Sequence, residues 1–147
     1  MLKPAVAAAA IALCLAGGGA AAAQDTGAGL IRAIFAGAED QMRASGMNFE
    51  RVEELTGSLS DGASHGDIVR LSAGSYLIAG ACDEDCSDFD LIVRNTNAEV
   101  LGSDQLEDDA PLVVLEDVPA GSYQIESQMA ACSAEPCLTG VRVYRLR

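Results

Sequence analysis

Two textures divide the chain. Between Gly27 and Gly46 the apolar residues Leu30, Ile31, Ile34, Phe35, Ala38 and Met42 recur at helical spacing, with Arg32, Glu39, Asp40 and Arg43 on the other side. This spacing predicts one amphipathic helix whose apolar stripe packs on the body of the domain, and Gly46 supplies its stop. Beyond Gly46, short apolar runs alternate with clusters of Gly, Asp, Asn and Ser, which is the all-β pattern. It predicts eight strands, near 52–59, 67–72, 75–82, 89–94, 98–102, 111–117, 121–131 and 139–146. Within 121–131, Tyr123, Ile125 and Met129 face one way and Gln124, Glu126 and Gln128 the other, as a half-buried strand requires. The run 75–82 is apolar on both faces, so it belongs at the centre of a sheet or under a cover. Pro111 falls at a strand start, where a missing N–H does least harm. The expected fold is all-β, a jelly-roll-like antiparallel β-sandwich of about eight strands with an N-terminal amphipathic helix.

Residues 1–23 have a different character. A single charge at Lys3, an apolar run from Pro4 to Ala16 and a small-residue exit at Ala21 and Ala23 are the marks of a secretory signal peptide. The apolar run is short for a spanning helix, so no integral membrane segment is expected after cleavage behind Ala23. Cys14 follows Leu13, which argues against lipidation, since that needs a small residue just before the cysteine. The expected organisation is signal peptide 1–23, helix and linker 24–50, and sandwich 51–147. The location is periplasmic or secreted.

The full chain of 147 residues carries 22 acidic and 9 basic side chains, one His and no Trp. Loss of Lys3 with the leader leaves 8 basic groups and a formal charge of −14. Nucleic acid is excluded as a partner, because phosphate neutralisation needs clustered Lys and Arg. Four cysteines remain, Cys82, Cys86, Cys132 and Cys137, and an even count in an exported chain reads as two disulfides. Neither pair has zinc-site spacing and no His stands near them. Three pairings exist, and the two local ones, Cys82–Cys86 and Cys132–Cys137, are favoured.

Two stretches rhyme: Ala73-Gly74-Ser75-Tyr76 and Ala120-Gly121-Ser122-Tyr123 each lead a strand that ends in a Cys pair. The Gly in each suits a turn with positive φ. The second stretch, the Val69–Tyr76 run, Asp88-Phe89-Asp90-Leu91-Ile92-Val93 and the Asp108-Asp109 step carry a resemblance over about Leu55 to Val143. That region resembles the bacterial pre-peptidase C-terminal domain family, a small jelly-roll sandwich attached to secreted peptidases. The resemblance implies the fold and a non-catalytic role. Here no peptidase precedes the domain, a helix is appended in front, and the Cys pairs are not a general feature of that family.

The sharpest chemical feature is acidic. Asp83, Glu84, Asp85, Asp88 and Asp90 are followed by Asp104, Glu107, Asp108 and Asp109, and the two groups would meet if both loops lie at one end of the sandwich. Crowded carboxylates repel unless screened, and calcium takes six to eight oxygen ligands in irregular geometry. Asp83, Asp85, Asp88, Asp90, Asp104, Asp108 and Asp109 are therefore the candidate calcium ligands, against the plainer reading of solvated loop tips. The spacing is not that of an EF-hand, since Asp88 and Arg94 stand where Gly and Glu are needed. His65 reads as a turn residue, and no Ser/His/Asp or Cys/His constellation is visible. The chain is expected to be a non-enzymatic binding or accessory module whose partner is a protein or envelope component. The alternatives are a structural or calcium-buffering protein without a dedicated partner and, further off, an enzyme using its carboxylates.

Overall fold

The computed structural model describes residues 19–147, with side chains from Thr26 onward. A helix, α1 (Gly19–Ala44), precedes eight strands: β1 (Phe49–Leu59), β2 (Ser64–Leu71), β3 (Gly74–Cys82), β4 (Cys86–Arg94), β5 (Val100–Asp104), β6 (Leu112–Val118), β7 (Gly121–Cys132) and β8 (Cys137–Leu146). Most of the expected leader lies outside the described residues, and the expected cut behind Ala23 falls within α1. No helix among the described residues is long and apolar enough to cross a membrane.

The strands form two four-stranded sheets, in the orders β1-β8-β3-β6 and β2-β7-β4-β5, and every paired neighbour is antiparallel. This is the double-sheet jelly-roll order. Strand alternation makes the core. Tyr76 and Ile78 of β3, Phe89, Leu91 and Val93 of β4, Ile125 and Met129 of β7, and Val141 and Val143 of β8 fill the space between the sheets. Both local disulfides form, Cys82–Cys86 and Cys132–Cys137.

The outer face of the first sheet carries a second apolar layer, Leu77, Ala79, Ala81 and Tyr144, and α1 covers it with Ile31 and Phe35. This is why β3 reads as apolar on both faces. Gly140 on β8 permits the approach, because a Cβ there would stand 2.8 Å from Ile31 Cγ2 and 3.0 Å from Phe35 Cε2. The helix is also clasped electrostatically. Arg142, 7% exposed, donates from Nη1 to Glu39 Oε1 (2.9 Å) and from Nε and Nη2 to Glu54 Oε1 (3.1 and 3.0 Å). Its guanidinium lies 4.6 Å from the Phe35 ring centre, and Tyr144 Oη donates to Glu39 Oε1 at 3.0 Å. Burial pushes the Glu39 carboxyl up, but the Tyr144, Arg142 and Arg43 contacts outweigh it and leave the carboxyl below its ordinary value. Burial and the neighbouring Glu39 push the Tyr144 phenol up to about 12.

The rhyme between 73–76 and 120–123 is structural. Tyr76 Oη donates to Ser72 O at 2.8 Å, and Tyr123 Oη donates in the same way to Pro119 O, each four residues upstream. Positive φ occurs at Gly74 (154°) but not at Gly121, so only one glycine is there for its backbone freedom. Gly46 ends the helix segment with φ 79°, as expected. A second expectation fails with that for Gly121: His65 is not in a turn. β2 begins at Ser64 and pairs with β7 from Ser64↔Gln128 onward, so pairing with a distant strand overrides the turn-like Ser-His-Gly-Asp sequence.

Candidate functional site

Four loops meet at one end of the sandwich, tied by hydrogen bonds between them. Ser133 N and Oγ donate to Asp85 O (2.8 and 3.0 Å), joining the β7–β8 loop to the β3–β4 loop. Cys132 N donates to Asp61 Oδ1 (2.8 Å) and Asp61 N to Glu135 Oε1 (2.9 Å), which brings in the β1–β2 turn. The β5–β6 loop joins through Phe89 N to Asp108 O and Gly80 N to Pro111 O, both 2.8 Å. The carboxylates of these loops are Asp61, Asp83, Glu84, Asp85, Glu107, Asp108, Asp109 and Glu135, and the four loops contain no Lys or Arg. None of the ion pairs formed among the described residues reaches them.

The seven candidate ligands divide. Asp88, Asp90, Asp104 and Asp108 share one neighbourhood. Burial raises the Asp90 carboxyl first, and the like charges of Asp88, Asp104 and Asp108 raise it further. Asp90 is 8% exposed, and its Oδ1, like that of Asp88, is buried without a hydrogen-bond partner. Asp104 serves the loop itself, taking Leu106 N on Oδ1 (3.3 Å) and Leu112 N on Oδ2 (2.8 Å). Asp108 Oδ1 accepts Ala110 N at 3.0 Å. Asp83 stands apart against Gly27 of α1 and accepts Leu138 N on Oδ2 at 2.7 Å. Asp85 and Asp109 contribute backbone carbonyls, the latter 3.6 Å from Cys82 Sγ. Among the described residues no three Asp, Glu, His or Cys side chains gather at metal-ligand spacing, so the seven do not form one shell.

Beside this acidic end runs an apolar edge. Leu106 in the β5–β6 loop is 68% exposed, and Leu112 and Val114 project from the same face of β6 at about half exposure. Val114 borders a shallow hollow with Leu101 of β5 and with Leu115 and Val118.

The opposite edge of the sandwich opens as a cleft of about 260 Å³ between β1 and β2. Leu55, Leu59 and Val141 give it aliphatic walls, and Asp67, Ser127 and Thr139 line it with polar atoms. His65 Nε2 lies 3.4 Å from Asp67 Oδ1, and Ser127 is directly opposite His65 in the β2–β7 register. A Ser, a His and an Asp thus meet in one cleft although the sequence shows no such grouping. They are not joined as a relay: no described residue is hydrogen-bonded to the Ser127 hydroxyl, whereas a nucleophile needs its base within about 2.6–3.2 Å. The sequence signal for this cleft was parity. Ser127 falls on the core face of Tyr123, Ile125 and Met129, Thr139 on that of Val141 and Val143, and Asp67 on that of Val69 and Leu71.

The fold and this end together define an eight-stranded jelly-roll sandwich with two local disulfides and one uncompensated acidic pole. No family model matches the chain, that of the pre-peptidase C-terminal domain included. No curated protein sequence matches it either. Among solved structures it is similar to PliG of Aeromonas hydrophila, a periplasmic lysozyme inhibitor of g-type lysozyme, at 14% identity and a TM-score of 0.44, over 70% of this chain and 90% of that one.

Proposed function

We propose that this chain is an exported, non-catalytic binding module, periplasmic or secreted and akin to the pre-peptidase C-terminal domains, whose acidic end takes a cationic protein. One observation carries the reading: four loops from separate parts of the chain meet at one end of the sandwich and carry eight carboxylates and no Lys or Arg. Like charges so gathered raise the free energy of the folded chain, and a cationic partner relieves it. Such a field steers encounter, raising association rates by roughly 10–10³ at low salt. Leu106, Leu112 and Val114 beside the pole supply the apolar contact that an interface needs at its centre. The two disulfides fit an oxidising compartment. The test is binding to small globular proteins of graded net charge, a g-type lysozyme among them. Affinity should rise with partner charge and fall as salt is added, and affinity independent of partner charge would refute the reading.

A second reading rests on Asp88 and Asp90, whose buried Oδ1 atoms lack partners. A calcium ion held by these two, with carbonyls and water completing its shell, would answer both, at the roughly 10⁻⁴–10⁻³ M affinity of extracellular modules. A calcium-specific rise in the unfolding midpoint, beyond that given by magnesium, is the expected result. Equal midpoints in the two ions would remove this reading and leave the first intact.

A further inference from the structure

The geometry points to the cleft between β1 and β2 as a binding site for a small primary alkylammonium, separate from the acidic end and from the partner proposed for it. Ser127 and Thr139 occupy core-facing positions on β7 and β8 and are each 7% exposed. Neither hydroxyl forms a hydrogen bond with another described residue. Neither oxygen is among the buried polar atoms left without a partner, so both reach the solvent of the cleft, and from opposite sheets they open onto one cavity of about 260 Å³.

The chemistry of the lining selects the ligand. Asp67 is its one carboxylate, and no Lys or Arg lines it. An ammonium group has three donors and no acceptor, which suits a lining of one carboxylate and several hydroxyls, Ser127 and Thr139 among them. Leu55, Leu59 and Val141 offer a short alkyl chain an apolar wall. An anionic ligand would meet Asp67 in a chain of formal charge −13, and no Phe, Tyr or Trp lines the cleft for a sugar to stack on. His65 Nε2 stands beside the Asp67 carboxylate, so an arriving ammonium competes with it for that group. The volume lies just under the usual range of about 300–1,000 Å³ for ligand pockets, which limits the ligand to a few carbon atoms.

Methyl-resolved NMR of the oxidised protein, titrated at constant ionic strength with n-pentylammonium, n-pentanol and pentanoate, tests the assignment. Saturable shifts at Leu55, Leu59 and Val141 are expected with pentylammonium, and binding of the other two should be about tenfold weaker or worse. Asp67→Asn should weaken pentylammonium by about tenfold, and Ser127→Ala and Thr139→Val by less. Pentanol binding as tightly as pentylammonium, or no saturable shift at all, would overturn the assignment. The wild-type series decides the matter even if Asp67→Asn fails to fold. Neutralising Asp85, Glu107 and Asp109, which do not line the cleft, should leave these shifts unchanged, which keeps the outcome distinct from that of the proposed protein partner.

Discussion

Two charged regions of this molecule are built on opposite principles. In the clasp under α1, each charge has a counter-charge: Arg142 sits between Glu39 and Glu54, with Tyr144 donating to Glu39 and Phe35 under the guanidinium. At the loop end the carboxylates have backbone N–H groups as partners, or none, and no cation among the described residues. The clasp is closed and holds helix to sheet. The loop end is open, and its charge is left for something outside the chain. Charge count alone would not separate the two, since both are rich in carboxylates, but the presence or absence of a compensating cation does.

The largest expected effect breaks the clasp. Arg142→Ala leaves Glu39 under the helix with its main counter-charge gone, and the expected loss of stability is about 3 kcal/mol, measured by denaturant unfolding. Gly140→Val should detach the helix without altering any charge, since its Cβ would already meet Ile31 and Phe35, and it should cost about 1–3 kcal/mol. If Arg142→Ala proved no more costly than an exposed substitution, the clasp would be decoration.

How much of this contrast the sequence discloses follows from the range of the contacts. The helix stripe Leu30–Met42, the eight strands and the two local disulfides depend on spacing and on short loops, and all were readable. The doubly apolar β3 was expected to be central or covered, and it is both, inside its sheet and under α1. The clasp was not readable, because Glu39, Glu54 and Arg142 are brought together only by helix docking and β1–β8 pairing. His65 was misread for the same reason: Ser-His-Gly-Asp has turn chemistry, yet its backbone bonds go to β7. The acidic runs were visible in sequence, but their sharing out between loop-building roles and open charge depends on which backbone N–H groups lie in reach.

Acidification sharpens the comparison, because the two regions respond with opposite sign. Glu39 is held below its ordinary carboxylate value, so its contribution is present above pH about 4.5 and is lost as the pH falls through the lower folded value. Asp90 is held above its ordinary value, so its cost is absent at low pH, appears as the pH rises past the unfolded value, and is complete above the folded one. Asp90→Asn should therefore stabilise the protein at neutral pH by about 1 kcal/mol, with the gain vanishing below the ordinary carboxylate range. Unfolding midpoints of the variant and parent across a pH series check this, and a gain that persisted in acid would assign it to packing and not to charge. The smallest effect is expected from the triple variant Asp85→Asn, Glu107→Gln, Asp109→Asn, which should change stability by no more than about 0.5 kcal/mol. The Asp85 contacts that tie two of the loops come from its backbone carbonyl, and that carbonyl remains.

That triple variant also supplies the most direct measurement of the central claim. Association of the parent and the variant with a small cationic globular protein would be followed over a salt series by surface-captured kinetics. If the open acidic end is the binding surface, the parent associates faster at low salt, the variant loses about tenfold in affinity there, and the difference fades as ionic strength rises. Equal association of parent and variant at low salt would contradict the account.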